Sequence, residues 1–395
     1  MPDNFIPWEA INPVLTSQTS AREALMGLPD QVAAERALSE FRCGRPVLVT
    51  GDERSIALPV DGMSDERLEA FRRLCAPAPL RLVVTDRRAH ALGISAAGPV
   101  ALPLADSDTA ADILSLAADA RVRRDFEARP AGLTARAAIE LAKLAQRLPA
   151  LLVAQASAAT ASCDPPLVSV AAGAVAPFRE ALAALTVASE AHVPLQGGLA
   201  TRFVVFRDGV GGTATAVIVG TPDFSQPVPV RMHSACLTGD VFGSRRCDCG
   251  DQLRLALARL DEAGGGIILY LRQEGRGLGL ANKMRAYQLQ DEGLDTLDAN
   301  ATLGFDDDER DYGMAVRMLE LLGCKQVLLL TNNPAKLDGL AQAGISVCGR
   351  IALHGPINAD NRRYLTAKAT RAGHQLDHLL TVPSEDEQAD DDNAS

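Results

Sequence analysis

The chain has 395 residues, a formal net charge of −11 and 47% hydrophobic residues. This length predicts two to three domains with buried cores, and the acidic balance argues against general nucleic-acid binding, which needs a broad basic surface. The first eight residues carry neither a basic nor an apolar run, and no apolar segment reaches the roughly 18 residues of a membrane span. We therefore expect a cytoplasmic protein whose eight cysteines are reduced.

The first part of the chain alternates β-rich runs with helical patterns. Residues 45–50 and 80–85 are rich in Val and Leu and predict strands. Between residues 134 and 146 apolar residues recur at helical spacing, with Thr134 as the candidate N-cap, and a further strand is predicted over 148–154. This alternation is typical of an α/β domain.

A second unit is predicted from about residue 190. Three β-rich runs, over 200–206, 216–220 and 228–233, predict a hairpin or meander that leads to the first of three closely spaced cysteines. After the third of these cysteines, leucines at helical spacing predict a helix that packs on the core, and a buried strand is predicted over 267–271.

The three cysteines, Cys236, Cys247 and Cys249, have the spacing C-x10-C-x-C. Three thiolates at this spacing can converge on one tetrahedral ion, and soft thiolates favour zinc over magnesium. Three ligands leave a position for water, as in catalytic sites, whereas a fourth ligand such as His233 would close the site for a structural role. Chance proximity of three core cysteines is the other alternative to one catalytic zinc per chain. The remaining cysteines are interpreted as small buried hydrophobic residues: Cys43, Cys75, Cys163, Cys324 and Cys348.

A glycine-rich loop over 273–279 lies between a predicted strand and a helix predicted over 280–290. Such a loop can bring backbone amides and Arg276 close to a ligand, but glycines also serve tight turns. It matches neither a Walker A loop nor a dinucleotide-binding fingerprint. Phosphate binding and a plain turn both remain open from the residues alone.

Two further segments suggest anion binding or ordinary helix starts. Asn333 is a candidate N-cap and Pro334 suits the first helical position, so Lys336 falls in a first turn that favours anions. An exposed Lys at an ordinary helix start is the alternative. The acidic run over 306–311 precedes another predicted helix, where carboxylates normally complement the helix dipole on a solvated face.

Five motifs occur in one order along the second unit: residues 231–240, 246–252, 273–280, 282–287 and 330–334. Together they resemble GTP cyclohydrolase II over roughly residues 200 to 375, about half the chain. The resemblance implies a mixed sheet with helices and a zinc-dependent hydrolysis of GTP. The implied products are formate, pyrophosphate and 2,5-diamino-6-hydroxy-4-(5-phosphoribosylamino)pyrimidine, in the first step of riboflavin biosynthesis.

The resemblance also implies roles for individual residues. Asp308 corresponds to a proton acceptor, Arg310 to its catalytic partner on the phosphate, and Tyr287 to a group that orients water or the purine. Zinc activates water for attack on the guanine ring, and Mg²⁺ accompanies the triphosphate when pyrophosphate leaves. The implied substrate-binding residues are Arg231, Met232, His233, Ser234, Ala235, Gln252, Glu274, Gly275, Arg276, Thr296, Thr331 and Lys336.

The first half carries a weaker resemblance to dihydroxybutanone-phosphate synthase, in residues 37–50 and 132–137. That enzyme needs acidic ligands for Mg²⁺ after its first strand, but residues 54–59 contain no carboxylate. Leu133 and Ala135 replace the His and Glu of its later motif, so no proton carrier is expected there. We interpret this half as a degenerate scaffold that is not catalytic.

The predicted fold class is α/β (α+β), with an N-terminal α/β domain ahead of a cyclohydrolase-like domain. The predicted boundaries are 1–165 for the first domain, 166–189 for a connector, 190–380 for the second domain and 381–395 for an acidic disordered tail. The resemblance implies a homodimer with GTP as its small-molecule substrate. Neither nucleic acid nor membrane is an expected partner.

One position departs from the family pattern. Ala235 stands where the R-x-H-S-E-C motif has Glu, so one polar contact near zinc and nucleotide is missing. A diverged cyclohydrolase that acts on another nucleotide or nucleobase compound is therefore an alternative function. A non-catalytic zinc protein that binds nucleotides is a third, which the presence of Tyr287, Asp308 and Arg310 disfavours because folding alone needs only the cysteines.

Overall fold

The computed structural model describes residues 21–122, 124–157, 160 and 163–372. These residues form two compact units. The N-terminal unit contains residues 21–181 together with Leu278–Glu309, and the C-terminal unit contains Leu182–Gly277 together with residues 310–372. The predicted acidic tail lies outside the described residues. None of the described helices is both long and apolar enough to span a membrane.

The elements of the first 181 residues are, in chain order, α1 (Ala21–Met26), α2 (Pro29–Arg42), β1 (Val47–Thr50), β2 (Arg54–Pro59), α3 (Asp65–Cys75), β3 (Arg81–Val84), α4 (Asp86–Ala91), β4 (Val100–Pro103), α5 (Ala110–Ala118), β5 (Arg129–Pro130), α6 (Leu133–Leu144), β6 (Ala150–Gln155), β7 (Ser169–Ala171) and α7 (Ala172–Ala181).

The rest of the described chain continues with β8 (Thr186–His192), β9 (Thr201–Arg207), β10 (Thr213–Gly220), β11 (Val228–Ser234), α8 (Leu237–Asp240), α9 (Cys249–Glu262), β12 (Gly265–Leu271), α10 (Leu280–Asp291), α11 (Thr296–Thr302), α12 (Gly313–Leu321), β13 (Gln326–Leu330), α13 (Pro334–Gln342), β14 (Ser346–Ile351) and α14 (Ala359–Ala372).

The N-terminal unit is built on a seven-stranded mixed sheet with the order β5-β4-β3-β6-β2-β1-β7. Only β1 and β7 are a parallel pair among its described strands. The strands predicted near residues 45–50, 80–85 and 148–154 are confirmed as β1, β3 and β6. Their central residues are buried because they are almost wholly apolar.

One local prediction for this unit was wrong, and the structure adds detail to a second. Thr134 lies inside α6, whose N-cap is Gly132, and its fully buried hydroxyl is 2.9 Å from the Ser55 hydroxyl. The segment 166–189, predicted as a connector, contains β7, α7 and the start of β8. Its small residues allow it to pack: β7 pairs in parallel with β1, and Val175 and Phe178 of α7 are buried.

The segment Leu278–Glu309 lies within the stretch predicted to belong to the second domain, yet it packs with the N-terminal unit. It contains α10 and α11, of which α10 confirms the helix predicted over 280–290. Each predicted domain is one continuous stretch of sequence, whereas in the structure this segment belongs to the N-terminal unit. Each compact unit therefore consists of sequence segments that are not contiguous.

The C-terminal unit has a second seven-stranded mixed sheet, with the order β14-β13-β11-β12-β10-β9-β8. The strands β8, β9, β10 and β12 pair antiparallel, while β12, β11, β13 and β14 pair in parallel. The predicted meander is confirmed for β9 and β10. It is wrong for β11, because β12 lies between β10 and β11. Both sheets are mixed, so the predicted α/β class is confirmed.

The parallel strands place three functional loops at one edge of this sheet. The strands β11, β12 and β13 run in the same direction, so their carboxyl ends lie together. Cys236 follows β11, the glycine-rich loop follows β12, and Thr331 follows β13. Along β11, Val228, Val230 and Met232 enter the core, and the alternation of a strand points Arg231 and His233 to the opposite face.

Candidate active site

The three predicted cysteines converge. Their Sγ atoms all lie within 4.8 Å of one another, and those of Cys236 and Cys247 are 3.7 Å apart. Tetrahedral zinc with Zn–S bonds of about 2.3 Å separates neighbouring sulfurs by about 3.8 Å. Within the described part of the chain, these three residues form the cluster of His, Cys, Asp and Glu side chains that could hold a metal. The geometry fits a thiolate-bound zinc ion.

Local sequence explains how the cysteines meet. Cys236 lies between the end of β11 and α8, while Cys249 is the first residue of α9. The amino terminus of α9 therefore lies at the thiol cluster, where its partial positive charge favours thiolate. The leucine stripe predicted after Cys249 is confirmed, since α9 packs Leu253, Leu257 and Leu260 into a core cluster.

Two glycines allow this close approach. A Cβ on Gly239 would lie 2.9 Å from the Cys247 Sγ and 3.1 Å from the Cys236 Sγ. A Cβ on Gly250 would lie 2.2 Å from the Gly239 carbonyl oxygen. Any side chain at either position would displace a thiol or the backbone that carries it. Sequence reasoning missed both residues, although each stands next to a cysteine or inside the same motif.

The close approach of the thiols raises the pKa values of Cys247 and Cys249. The pKa of the Cys249 thiol is raised well above its ordinary value by hydrogen bonding with Cys236 and Cys247 and by burial. Hydrogen bonding with Cys236 and burial also raise the pKa of the Cys247 thiol. A divalent cation reverses this balance because it stabilises thiolate directly. The donor set is therefore suited to metal and poorly suited to apolar packing.

The other cysteines only partly follow the prediction of burial. Cys75 and Cys324 are buried, and burial raises the pKa of each thiol, to about 12 and about 11 respectively. Cys163 is half-buried, whereas Cys43 and Cys348 are exposed. Cys43 directly follows α2 at a turn and Cys348 lies on the edge strand β14, so neither position faces a core.

A buried carboxylate lies beneath the cysteine loop. The side chain of Asp240 is only 4% exposed and accepts hydrogen bonds from the Cys236 backbone N–H at 2.9 Å, the Tyr270 hydroxyl at 2.8 Å and the His233 Nε2 at 3.0 Å. Burial opposes ionisation, but these donors lower the pKa of Asp240. The network therefore contains a carboxylate that fixes the backbone of a metal-binding residue.

His233 is a partner of this carboxylate and lies outside the cluster of three thiols. Its ring stacks on Tyr270, its cross-strand neighbour, with centroids 5.5 Å apart. Burial lowers the pKa of His233 despite the adjacent Asp240, so the ring is neutral near pH 7. The bond to Asp240 places its proton on Nε2, and the buried Nδ1 is an acceptor with no hydrogen-bond partner among the described residues. The alternative of a zinc site closed by His233 finds no support.

Arg231 is a buried cation at the same sheet edge. It donates from Nη1 to the Leu330 carbonyl at 3.0 Å and from Nη2 to Gln252 Oε1, while Gln252 in turn donates to Asp248. Burial lowers the pKa of Arg231 to about 10, which still leaves it protonated at neutral pH. Its Nε is buried and has no hydrogen-bond partner in the part of the chain that the structure describes. These contacts join the predicted residues Arg231 and Gln252 into one network.

The segment after β13 has the predicted cap but not an exposed lysine. Asn333 accepts from the Ala335 backbone N–H at 3.0 Å, and Pro334 is the first residue of α13. Lys336 is 6% exposed, and its Nζ donates to the Met232 carbonyl at 2.8 Å. Thr331 is also buried and accepts from the Asn333 backbone N–H at 3.0 Å. Lys336 therefore braces β11, and the alternative of an exposed Lys was wrong.

The glycine-rich loop is tied to the cysteine loop. Glu274, Gly275 and Arg276 form a short 3-10 turn in which Gly275 and Arg276 have positive φ angles of 62° and 61°. A non-glycine residue in this conformation is uncommon and costs on the order of 1 kcal/mol. The turn directs Glu274 Oε2 to the Leu237 backbone N–H at 2.8 Å. Glu274 is thereby held beside the residue that follows Cys236.

The remaining predicted residues are divided between the units. Tyr287 on α10, Thr296 on α11 and Asp308 all belong to the N-terminal unit. Tyr287 and Thr296 are half-buried, whereas Asp308 is exposed. The Lys283 Nζ lies 5.6 Å from the Tyr287 ring centroid. Arg310 is half-buried in the C-terminal unit, with its guanidinium 5.9 Å from the Tyr312 ring centroid.

The last three residues of the predicted β11 motif differ in what they can offer a ligand. Met232 is 1% exposed and packs in the core of the C-terminal unit, so only its backbone is available. Ser234 and Ala235 are half-buried where the strand ends. The Ala235 backbone N–H donates to the Leu271 carbonyl at 2.8 Å, which continues the pairing with β12.

Comparison with known proteins places this arrangement among guanine-ring hydrolases. The family model described as GTP cyclohydrolase II matches residues 186–352. The chain is 41% identical over 353 residues to a GTP cyclohydrolase-2 of Xylella fastidiosa, an alignment that covers 88% of each chain. It is also 41% identical over 382 residues to a GTP cyclohydrolase-2 of Azospirillum brasilense, covering 91% of this chain and 98% of that protein.

Other relatives match a shorter stretch. A riboflavin biosynthesis protein of Bacillus mycoides is 53% identical over 161 residues, or 41% of each chain. The crystal structure of a two-domain 3,4-dihydroxy-2-butanone 4-phosphate synthase from A. baumannii aligns with 82% of this chain and 99% of its own, at 14% identity and a TM-score of 0.31.

Proposed function

The chain belongs to the GTP cyclohydrolase II family, and from this premise we propose that it hydrolyses GTP to formate, pyrophosphate and 2,5-diamino-6-hydroxy-4-(5-phosphoribosylamino)pyrimidine. The cluster of three thiols at the carboxyl edge of a parallel sheet carries this proposal. Open α/β sheets bind ligands at this edge. The reaction is the first step of riboflavin biosynthesis.

Cys236, Cys247 and Cys249 hold one Zn²⁺ per chain in this proposal. The support is their mutual distance, the lack of room for a side chain at Gly239 and the soft donor set. When bound, zinc supplies the Lewis acidity that activates water for opening of the guanine ring. The three-ligand set leaves a coordination position for that chemistry.

The protein's own groups divide the remaining work. Asp308 is exposed and is proposed to accept the proton during ring opening. Tyr287 orients the purine or the attacking water. Arg310 carries a forked, permanently charged donor suited to the phosphate that loses pyrophosphate, and Mg²⁺ accompanies the triphosphate. Lys336 contributes by holding β11 through Met232, with its charge near the same edge.

The buried polar network of the C-terminal unit is proposed to recognise the nucleotide. The Arg231 Nε donor and the His233 Nδ1 acceptor are both buried, and neither has a partner within the described ranges. Such groups cost about 1–3 kcal/mol each when they remain unsatisfied, so a bound ligand or ordered water offsets that cost. Gln252, Glu274, Gly275, Arg276, Ser234, Thr296 and Thr331 complete the proposed binding set.

A second candidate function rests on Ala235. This residue lies directly before Cys236, at a position where the family pattern has Glu. The loss of one hydrogen-bonding group changes affinity for a guanine edge by about 1–3 kcal/mol. A related nucleotide or nucleobase compound could therefore be the preferred substrate.

Assembly and location are part of the proposal. By analogy with its family, the protein acts as a homodimer in the cytoplasm. It takes a small nucleotide as substrate and binds neither nucleic acid nor membrane. The net charge of −11 supports a localised basic pocket over a broad basic surface.

One assay tests the proposed activity against the second candidate. Zinc-loaded protein is incubated with Mg²⁺ and, in separate reactions, GTP, ATP, GMP and free guanine. We expect formate and pyrophosphate in equal amounts from GTP alone. Faster formate release from another compound would favour the second candidate, and no release from any of them would contradict both.

A further inference from the structure

The acidic run that contains Asp308 is anchored by cations from the first half of the chain. Asp306 pairs with the Arg87 Nε at 2.9 Å and with the Lys143 Nζ at 3.1 Å. The same Lys143 Nζ lies 2.7 Å from Glu309 Oε1, which also accepts from the Asp306 backbone N–H at 3.0 Å. Asp306 and Glu309, one on each side of Asp308 in the sequence, are therefore held by α4 and α6.

The anchoring lysine is well placed for this role. Its side chain is only 12% exposed, and so is that of Glu309. Burial opposes its charge, but the hydrogen bond and charge of Glu309, with those of Asp306, raise the pKa of Lys143. Burial likewise opposes ionisation of Asp306, whose pKa Arg87 and Lys143 lower. Burial of Lys143 and Glu309 and the ion pairs with Asp306 distinguish this cluster from a helix start whose carboxylates contact only solvent.

A buried arginine fixes the chain just before this run. Arg88 is 1% exposed and donates from Nη1 to the Thr302 carbonyl at 3.0 Å, at the carboxyl end of α11. Its other donors bind the carboxyl end of α5 through the carbonyls of Ser115, Leu116 and Asp119. The Thr85 hydroxyl donates to the Gly304 carbonyl at 2.7 Å. The Arg88 side chain therefore joins α4, α5 and α11.

The start of the segment is held just as closely. Asn282 is fully buried and donates to the Gln146 carbonyl at 3.0 Å. Arg285 pairs with Asp61, whose side chain is 5% exposed. An apolar cluster joins the two parts of the chain: Leu148 from the first half with Leu278, Ala286, Leu289, Ala299, Leu303 and Phe305.

We propose that the first half of the chain is a scaffold that positions Tyr287 and Asp308 for catalysis, with Lys143, Arg87 and Arg88 as its positioning residues. The proposal rests on the catalytic role of these two groups given above. Both lie in Leu278–Glu309, a segment matched by the cyclohydrolase family model but packed on residues that precede that match. The non-catalytic half thereby has a function in the reaction.

The geometry makes Lys143 the most informative residue to change. Lys143→Met keeps a long apolar stem but removes the ion pairs of Lys143 with Asp306 and Glu309, while the Arg87–Asp306 pair remains. We expect kcat to fall by about tenfold or more while the KM for GTP changes little, since a displaced proton acceptor slows the chemical step more than it weakens binding. Zinc content should stay at that of the wild type. Lys143→Arg should restore most of the rate.

Arg179→Met is the matched control. Arg179 pairs with Glu140 at 2.9 Å, on α7 and α6 of the same unit, in a bridge of similar length. Backbone hydrogen exchange, followed by mass spectrometry, gives a readout that does not depend on activity. In Lys143→Met, exchange should quicken in peptides that cover residues 303–309, whereas Arg179→Met should leave them as in the wild type.

Each result separates the possibilities. Loss of kcat with faster exchange near Asp308, in Lys143→Met only, supports the scaffold. Equal losses in both variants would overturn positioning in favour of general destabilisation, and unchanged exchange or unchanged kcat in Lys143→Met would also overturn it. If the wild-type protein releases no formate from any nucleotide, the proposed function fails, and the exchange comparison still shows whether these ion pairs hold the segment.

Discussion

At the scale of single residues, the metal centre depends on groups that carry no chemistry of their own. Gly239 leaves the space in which three sulfurs meet, and Asp240 holds the backbone of Cys236. The cysteines themselves were predictable from their spacing, because thiol ligands are few and diagnostic. Gly239 and Asp240 were not, because a glycine or aspartate in a loop has many ordinary uses.

Gly239→Ala should weaken zinc binding without unfolding the C-terminal unit. The new Cβ would lie 2.9 Å from one sulfur and 3.1 Å from another, so a thiol must move. Overpacking of this kind costs about 1–3 kcal/mol. Zinc stoichiometry and the thiolate charge-transfer absorption of the cobalt-substituted protein measure the effect. Gly173→Ala is the control, since a Cβ there meets nothing within 4 Å; equal metal affinity in the two variants would contradict the argument.

Asp240→Asn should lower zinc affinity by about 10- to 100-fold, the usual effect of losing a group that orients a metal ligand. An amide can still accept from Cys236 but cannot accept from His233 and Tyr270 as well. Tyr270→Phe removes only one of these bonds and should have a smaller effect. Competition with a chromophoric chelator measures both affinities. An Asn variant that binds zinc like the wild type would show that Asp240 only fills space.

At the scale of elements, β11 shows how a strand separates core from site. Its apolar residues enter the core, while Arg231 and His233 take the opposite face, and Lys336 reaches back to bond the Met232 carbonyl. The period of two was readable in the sequence. The neighbours of the strand were not, because a hairpin and a parallel crossover give the same local pattern. The strand β12 was predicted over 267–271, but its position between β10 and β11 appeared only in the structure.

Arg310→Ala should lose release of pyrophosphate and formate by about 100-fold or more while zinc remains bound, because one well-placed donor to developing charge contributes on that order. Arg310 precedes α12 and is half-buried beside Tyr312. Arg317→Ala provides the control on α12 itself, where Arg317 pairs with Glu320 at 3.0 Å on a partly exposed surface. Near wild-type release of both products by Arg310→Ala would contradict a catalytic role and would leave the acidic run and Arg310 as an ordinary helix start.

At the scale of the whole molecule, the sequence indicated two units and their class but not how the chain is shared between them. Domain boundaries were sought where composition changes, and residues 278–309 read as a continuation of the cyclohydrolase motifs. Their packing depends on Arg88, Lys143 and Asp61, charged residues that ordinarily lie on surfaces. Because each is paired or bonded only after folding, no local pattern could identify them as interior contacts.

The structure also adds to the picture of the first half. The carboxylates of Asp52 and Glu53, directly ahead of β2, lie 3.6 Å and 3.5 Å from the position a Cβ would take on Gly132. The prediction from residues 54–59 alone missed this proximity. Glu53 already accepts from the Ser55 hydroxyl at 3.0 Å and the Thr134 hydroxyl at 3.3 Å. Acidic groups thus remain near the degenerate motif, so dihydroxybutanone-phosphate synthase activity of the first half needs a direct test.

We expect that the full chain forms no dihydroxybutanone phosphate from ribulose 5-phosphate and Mg²⁺. Leu133, which is 53% exposed, and the buried Ala135 stand where a proton carrier and a carboxylate would be needed. Glu53 already accepts hydrogen bonds from two hydroxyls, and no imidazole stands at position 133 to pass protons to and from a sugar phosphate. Product analysis by mass spectrometry provides the measurement, with Asp52→Ala as the control for any trace signal. Turnover that disappears in Asp52→Ala would mean that the first half is an enzyme as well as a scaffold.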